Sequence, residues 1–92
     1  MATNVNVRAQ ILYPQAGADL KGRRLALIDS VAKAAQNDTV TVTNASSVAT
    51  IQVLSAINDA TGEWESHTVS NNVITLTSAT TGAKTLMVLI KE

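Results

Sequence analysis

The strongest constraint on this chain is a two-residue alternation of apolar and polar side chains, repeated between short clusters of turn-forming residues. In Thr39–Thr43, "TVTVT", valine alternates with threonine, as in a strand with one dry and one wet face. "VATIQVLSAI" (Val48–Ile57) sets Ile51, Val53 and Ile57 on one face, and "VITLTS" (Val73–Ser78) pairs Ile74 with Leu76. "TLMVLIKE" closes the chain as a nearly continuous apolar run. Between these segments lie "NDATGE", "SNN" and "ATTGAK", rich in residues that tolerate turn geometry. "EWESHTVS" reads as a strand entering the Ser70–Asn72 turn, which makes a hairpin with "VITLTS". Short strands at this spacing predict an antiparallel sandwich or barrel.

The N-terminal segment alternates too. Val5, Val7, Ala9 and Ile11 interleave with Asn4, Asn6, Arg8 and Gln10 up to Tyr13, and Pro14 ends the pattern. "PQAGADLKG" then reads as a linker. Two placements remain open for Asn4–Tyr13: a first strand of the domain, or an arm that adds a strand to a neighbouring sheet.

Leu25–Gln36 is ambiguous. On a helical wheel Leu25, Leu27, Ile28, Val31, Ala32 and Ala35 occupy one arc, opposite Asp29, Ser30, Lys33 and Gln36. As a strand, Leu25, Leu27 and Val31 share their face with Asp29 and Lys33, a poorer pattern. Periodicity taken alone favours a helix there.

At 92 residues the chain suits one domain, which buries roughly 60–65% of the surface its unfolded form exposes. It has no cysteine, and Tyr13 and Trp64 are its only aromatics apart from His67, so the core is built from small aliphatic pieces. A partner or self-assembly would supply further burial. No charged stretch followed by an apolar core opens the sequence, and the run Leu86–Ile90 is too short to span a bilayer, so a soluble chain made in the cytoplasm, with no membrane partner, is expected. Acidic and basic residues balance overall, yet residues 1–46 carry +2 and residues 47–92 carry −2. Surface scatter accounts for so small a polarity, with head-to-tail contact as the alternative.

No residue set announces chemistry. His67 stands near Glu63 and Glu65, and in a strand Glu65 and His67 would share a face, but this is a thin ligand set and a solvated surface strand is expected. No nucleophile motif accompanies the histidine, so neither an enzyme, a metal nor a cofactor is expected. "KGRR" (Lys21–Arg24) is the one basic cluster, and without interleaved aromatics in a chain of zero net charge it predicts no nucleic-acid binding. The threonines suggest an ice-binding row only in the absence of the better reason, that threonine suits a solvated strand face. Trp64 is expected to anchor the core, with a sugar-stacking platform as the alternative.

"RLALID", "NDTVTV", an apolar strand, an acidic Gly-containing turn and "VSNNVITLTSATTG" before a closing apolar strand follow one another in an order that resembles small structural proteins of tailed-bacteriophage virions, most of all capsid decoration (cement) proteins. The resemblance covers roughly Arg24 to Glu92 and consists of strand and turn patterns. It implies that "RLALID" opens a β-sandwich, which decides Leu25–Gln36 in favour of strand. The expected fold is therefore all-β: a small antiparallel β-sandwich or barrel of about six to seven short strands, with an extended N-terminal arm and linker over residues 1–22 and one β domain over 23–92. The alternative is an α+β domain with one amphipathic helix at residues 25–36. The resemblance further implies a non-enzymatic protein on the outer capsid surface of the virion, bound to the major capsid protein as a homo-oligomer, a trimer being one form. Candidate partner-binding residues are Val5, Val7, Arg8, Ile11, Tyr13, Lys21, Arg23 and Arg24. Alternatives are a tail or adsorption component, or a carbohydrate-binding module using Trp64.

Overall fold

The computed structural model describes residues 3–13 and 22–92. Their eight strands are β1 (Asn4–Val7), β2 (Gln10–Tyr13), β3 (Arg23–Lys33), β4 (Asp38–Val42), β5 (Thr50–Asn58), β6 (His67–Ser70), β7 (Val73–Leu76) and β8 (Gly82–Lys91). They form two four-stranded sheets, ordered β1-β4-β7-β6 and β2-β3-β8-β5, in an all-β fold consistent with a small β-sandwich. Pairing is antiparallel except between β1 and β4, which run parallel.

The alternation seen in the sequence becomes the two inner faces. Val40, Val42, Ile74 and Leu76 of the first sheet are buried, as are Ala26, Ile28, Leu86, Val88 and Ile90 of the second. Alanines 9, 45, 49 and 56 fill the remaining space, so the core is made of aliphatic side chains and methyl groups. Strand β8 is central in its sheet, and its alternate residues Thr85, Met87 and Leu89 stay half-buried on the outside. That explains why its sequence is apolar at nearly every position.

Residues 25–36 contain no helix. The helical wheel was satisfied by a bulged strand. Ala26 and Ile28 point inward, the chain then gains one residue against β8 between Ile28 and Val31, and Val31 and Lys33 point inward again. Ser30 takes φ 55 at this step. A spacing of two, then three, then two therefore imitates the i, i+3 spacing of a helix. A second bulge in β5, between Val53 and Ser55, has the same effect. Ile51 is inward before it, and Ala56 and Asn58 after it, so Ile57 does not share the face of Ile51 as the sequence pattern predicts.

The N-terminal segment also departs from a single strand or free arm. It divides at Arg8–Ala9, with β1 pairing with β4 in one sheet and β2 pairing with β3 in the other. The crossing is pinned by Asn44, whose Oδ1 accepts from the Ala9 N–H at 3.0 Å and whose Nδ2 donates to the Ala9 carbonyl at 2.9 Å. Asp38 anchors the start of β1: its carboxylate accepts from the Thr3 N–H at 2.7 Å and from the N–H groups of Ala34 and Ala35 at 2.7 and 3.0 Å. The Thr3 bond is the main influence holding the Asp38 carboxyl below its ordinary pKa, against burial, with Ala34 and Ala35 adding to it.

Candidate functional site

The residues expected to contact a partner are distributed over both sheets. Val5 and Val7 lie on β1 with Arg8 just after it, while Ile11 and Tyr13 lie on β2. Lys21 and most of the predicted linker lie outside the described residues. Arg24 is ion-paired with Glu92 and donates to the Asn44 carbonyl, so it fastens the end of β3 to the C-terminus. Arg23 is exposed in the same end row of its sheet as Lys91. What the structure gathers from this set is therefore a pair of edge strands, β1 and β2, rather than one patch.

The outward edge of β1 can be read from its ladder. Thr39 N–H donates to the Thr3 carbonyl at 2.9 Å and Thr43 N–H to the Val7 carbonyl at 2.7 Å. Odd-numbered residues of a parallel strand in this register face β4, so Asn4 and Asn6 turn their main-chain groups to the outside. The Asn4 side chain accepts from the hydroxyls of Thr39 and Thr41 at 2.7 and 2.8 Å, which orders the polar outer face beside that edge.

The most concentrated electrostatics lie elsewhere, and sequence reasoning missed them. Lys33, Lys84 and Glu65 meet inside the sandwich with their side chains at most 1% exposed. Lys33 Nζ is 3.0 Å from Glu65 Oε2 and Lys84 Nζ is 3.0 Å from Glu65 Oε1. Lys33 also donates to the Ser78 carbonyl and, at 2.9 Å, to Ser78 Oγ, which in turn donates to Glu65 Oε1 at 2.8 Å. The Ser78 N–H adds a bond to Oε2 at 3.2 Å. Burial pushes the Glu65 carboxyl up, but bonds from Lys33, Ser78 and Lys84 together outweigh it and hold the pKa at about 2. Lys84 Nζ makes its ion contact without a well-aligned hydrogen bond.

The fold explains how these groups meet. Lys33 and Lys84 stand at inward positions of β3 and β8, and Glu65 lies in the crossover from β5 to β6, where its N–H bonds the Ala56 carbonyl at 2.8 Å. One signal was legible, since Lys84 continues the inward series Leu86, Val88, Ile90. Nothing in the local pattern places Glu65 indoors, and the expected solvated strand at Glu63–His67 is corrected on this point. The His67 ring meets the backbone carbonyl of Glu65 at 2.9 Å, not its carboxylate. Among the described residues no group of three or more His, Cys, Asp or Glu side chains is arranged to hold a metal.

Trp64 is 60% exposed and does not anchor the core. Its ring lies 5.4 Å from that of His67, with the planes 50° apart. It pairs across β5 with Ile57 through an isolated bridge, which sets it at the rim of the second sheet.

No protein-family model matches the chain, and no curated protein or solved structure gives a significant match.

Proposed function

We propose that this chain is a non-enzymatic structural protein of a bacteriophage virion, binding the outer surface of the capsid through the major capsid protein and reinforcing the shell. The observation that carries this reading is the β-sandwich, six of whose eight strands, β3 to β8, fall in the stretch over which the sequence resembles decoration proteins. The sealed charge cluster is consistent with it, because groups at most 1% exposed serve to hold elements together rather than to meet a solute. Attachment in this reading uses the outward edge of β1, to which a capsid strand adds by main-chain hydrogen bonds. Val5, Val7, Ile11 and Tyr13 lie on the two N-terminal edge strands with Arg8 between them, and Arg23 supplies positive charge at the start of β3, the strand next to β2.

Mixing the purified protein with undecorated capsids tests the proposal: co-sedimentation and a gain in capsid heat resistance are expected, and the absence of both overturns it. Asn6→Pro removes an outward N–H while leaving the residues that face β4 untouched. It should reduce co-sedimentation while circular dichroism stays unchanged. Label on particle tails instead of heads would move the protein to a tail or adsorption role.

A second reading, a carbohydrate-binding module, is favoured by one specific observation: the exposed Trp64 ring beside His67. A glycan array showing no binding, or binding indifferent to Trp64→Ala, disposes of it.

A further inference from the structure

The outer faces of the two sheets differ in kind. Outside β4 and β7 lie Thr39, Thr41 and Thr75, with the Asn4 amide bonded to two of those hydroxyls. The outside of β3, β8 and β5 runs in four successive rows, charged at its ends and apolar through its middle on β3 and β8. The first row is Arg23, Lys91 and Thr50; the second is Leu25, Leu89 and Gln52; the third is Leu27, Met87 and Ser55, beside the 45% exposed Leu54 of the bulge. The fourth holds Asp29, Thr85 and Ile57, and Asp59 joins it through a 2.6 Å bond from Thr85 Oγ1. Positive charge thus stands at one end, two carboxylates at the other, and leucine and methionine between them.

We propose that this face pairs with the same face of a second copy of the chain about a two-fold axis. A two-fold axis lying in the interface plane, perpendicular to the strands and over the middle rows, reverses their order. Arg23 and Lys91 of one copy then meet Asp29 and Asp59 of the other, twice over, while the Met87 row lies on the Leu89 row. Self-complementarity of this kind is what an isologous dimer requires. The charge order argues for a second copy and for the antiparallel setting, because an axis running along the strands would lay Lys91 on Lys91 and each charged row on itself. Three strands at about 4.8 Å spacing and seven residues at about 3.4 Å rise frame a plane of a few hundred Å². That is less than half of what a standard interface takes from each partner, so the pair is weak and transient, with association at high micromolar concentration expected. The pairing does not depend on the capsid reading, and either stands if the other fails.

Sedimentation velocity on the full chain, at concentrations spanning the micromolar range and at low salt, reads the result. The wild-type chain should pass from monomer to dimer, and the dimer should weaken as salt is raised. Arg23→Glu with Lys91→Glu makes both ends negative, and Asp29→Lys with Asp59→Lys makes both ends positive. Each double variant alone should remain monomeric, and an equimolar mixture should form a dimer again, because every positive end then faces a negative one. A wild-type monomer throughout the range, a trimer, or a mixture that stays monomeric while both components show the native circular dichroism would overturn the proposal. If the Asp29/Asp59 variant fails to fold, Met87→Gln decides: a dissociation constant raised about tenfold or more supports the pairing, and an unchanged one refutes it.

Discussion

Lys33 Nζ lies 3.0 Å from Glu65 Oε2 in a site where both side chains are out of contact with water. With Lys84 on the other carboxylate oxygen, three ionised groups occupy a position that an all-aliphatic core would fill with methyl groups. Breaking such a cluster costs more than forming it contributes, because the remaining charges are stranded. Glu65→Gln should therefore destabilise the fold by about 3–5 kcal/mol, seen as a lower midpoint in urea unfolding. Replacing all three together, Lys33→Met, Glu65→Leu and Lys84→Met, should be neutral or stabilising.

The same cluster makes stability depend on acid. The Glu65 pKa is depressed to about 2 from an ordinary 4.5, so its contribution is complete well above pH 4.5 and disappears as pH falls towards 2. A shift of this size corresponds to on the order of 3 kcal/mol. Asp38, also held low, works in the same direction. Thermal melts between neutral pH and pH 2 should show this loss, and Glu65→Gln should flatten the slope.

Asn44 holds the point where the chain leaves one sheet for the other. Asn44→Ala removes both bonds to Ala9, a residue only 2% exposed, and leaves its N–H and carbonyl without those partners. A loss of about 1–3 kcal/mol is expected. Faster amide exchange should appear in β1 and β2 before it appears in β8.

Ser30 sits at positive φ where β3 bulges. Ser30→Gly suits that backbone and should leave stability within a few tenths of a kcal/mol, roughly neutral. Ser30→Val places a β-branched side chain there and should cost about 1–2 kcal/mol. Chemical denaturation of the pair measures the difference.

Much of the fold was legible from periodicity in "TVTVT" and "VITLTS" and from the turn clusters between strands, because alternation reports a half-buried strand directly. Where it misled, at Leu25–Gln36 and Val48–Ile57, a bulge had inserted one residue against β8 and changed the phase. A bulge depends on the partner strand, so it leaves no unambiguous local mark. The N-terminal strand was equally legible as a strand, but its division between two sheets rests on the Asn44 amide, distant in sequence from Ala9.

By itself the sequence determined that the chain from Thr39 onward is built of strands, roughly where they lie, and which of their residues are apolar, while leaving Leu25–Gln36 open to a helix. Tertiary structure decided which charges go inside and which apolar residues stay outside. Lys33, Glu65 and Lys84 are tolerable in the core only because three separate segments deliver them to one another. The Leu and Met rows of β3 and β8 remain on the surface because a two-layer sandwich has only one interior. Local pattern records what each strand prefers to bury; the pairing of sheets determines what there is to bury it against.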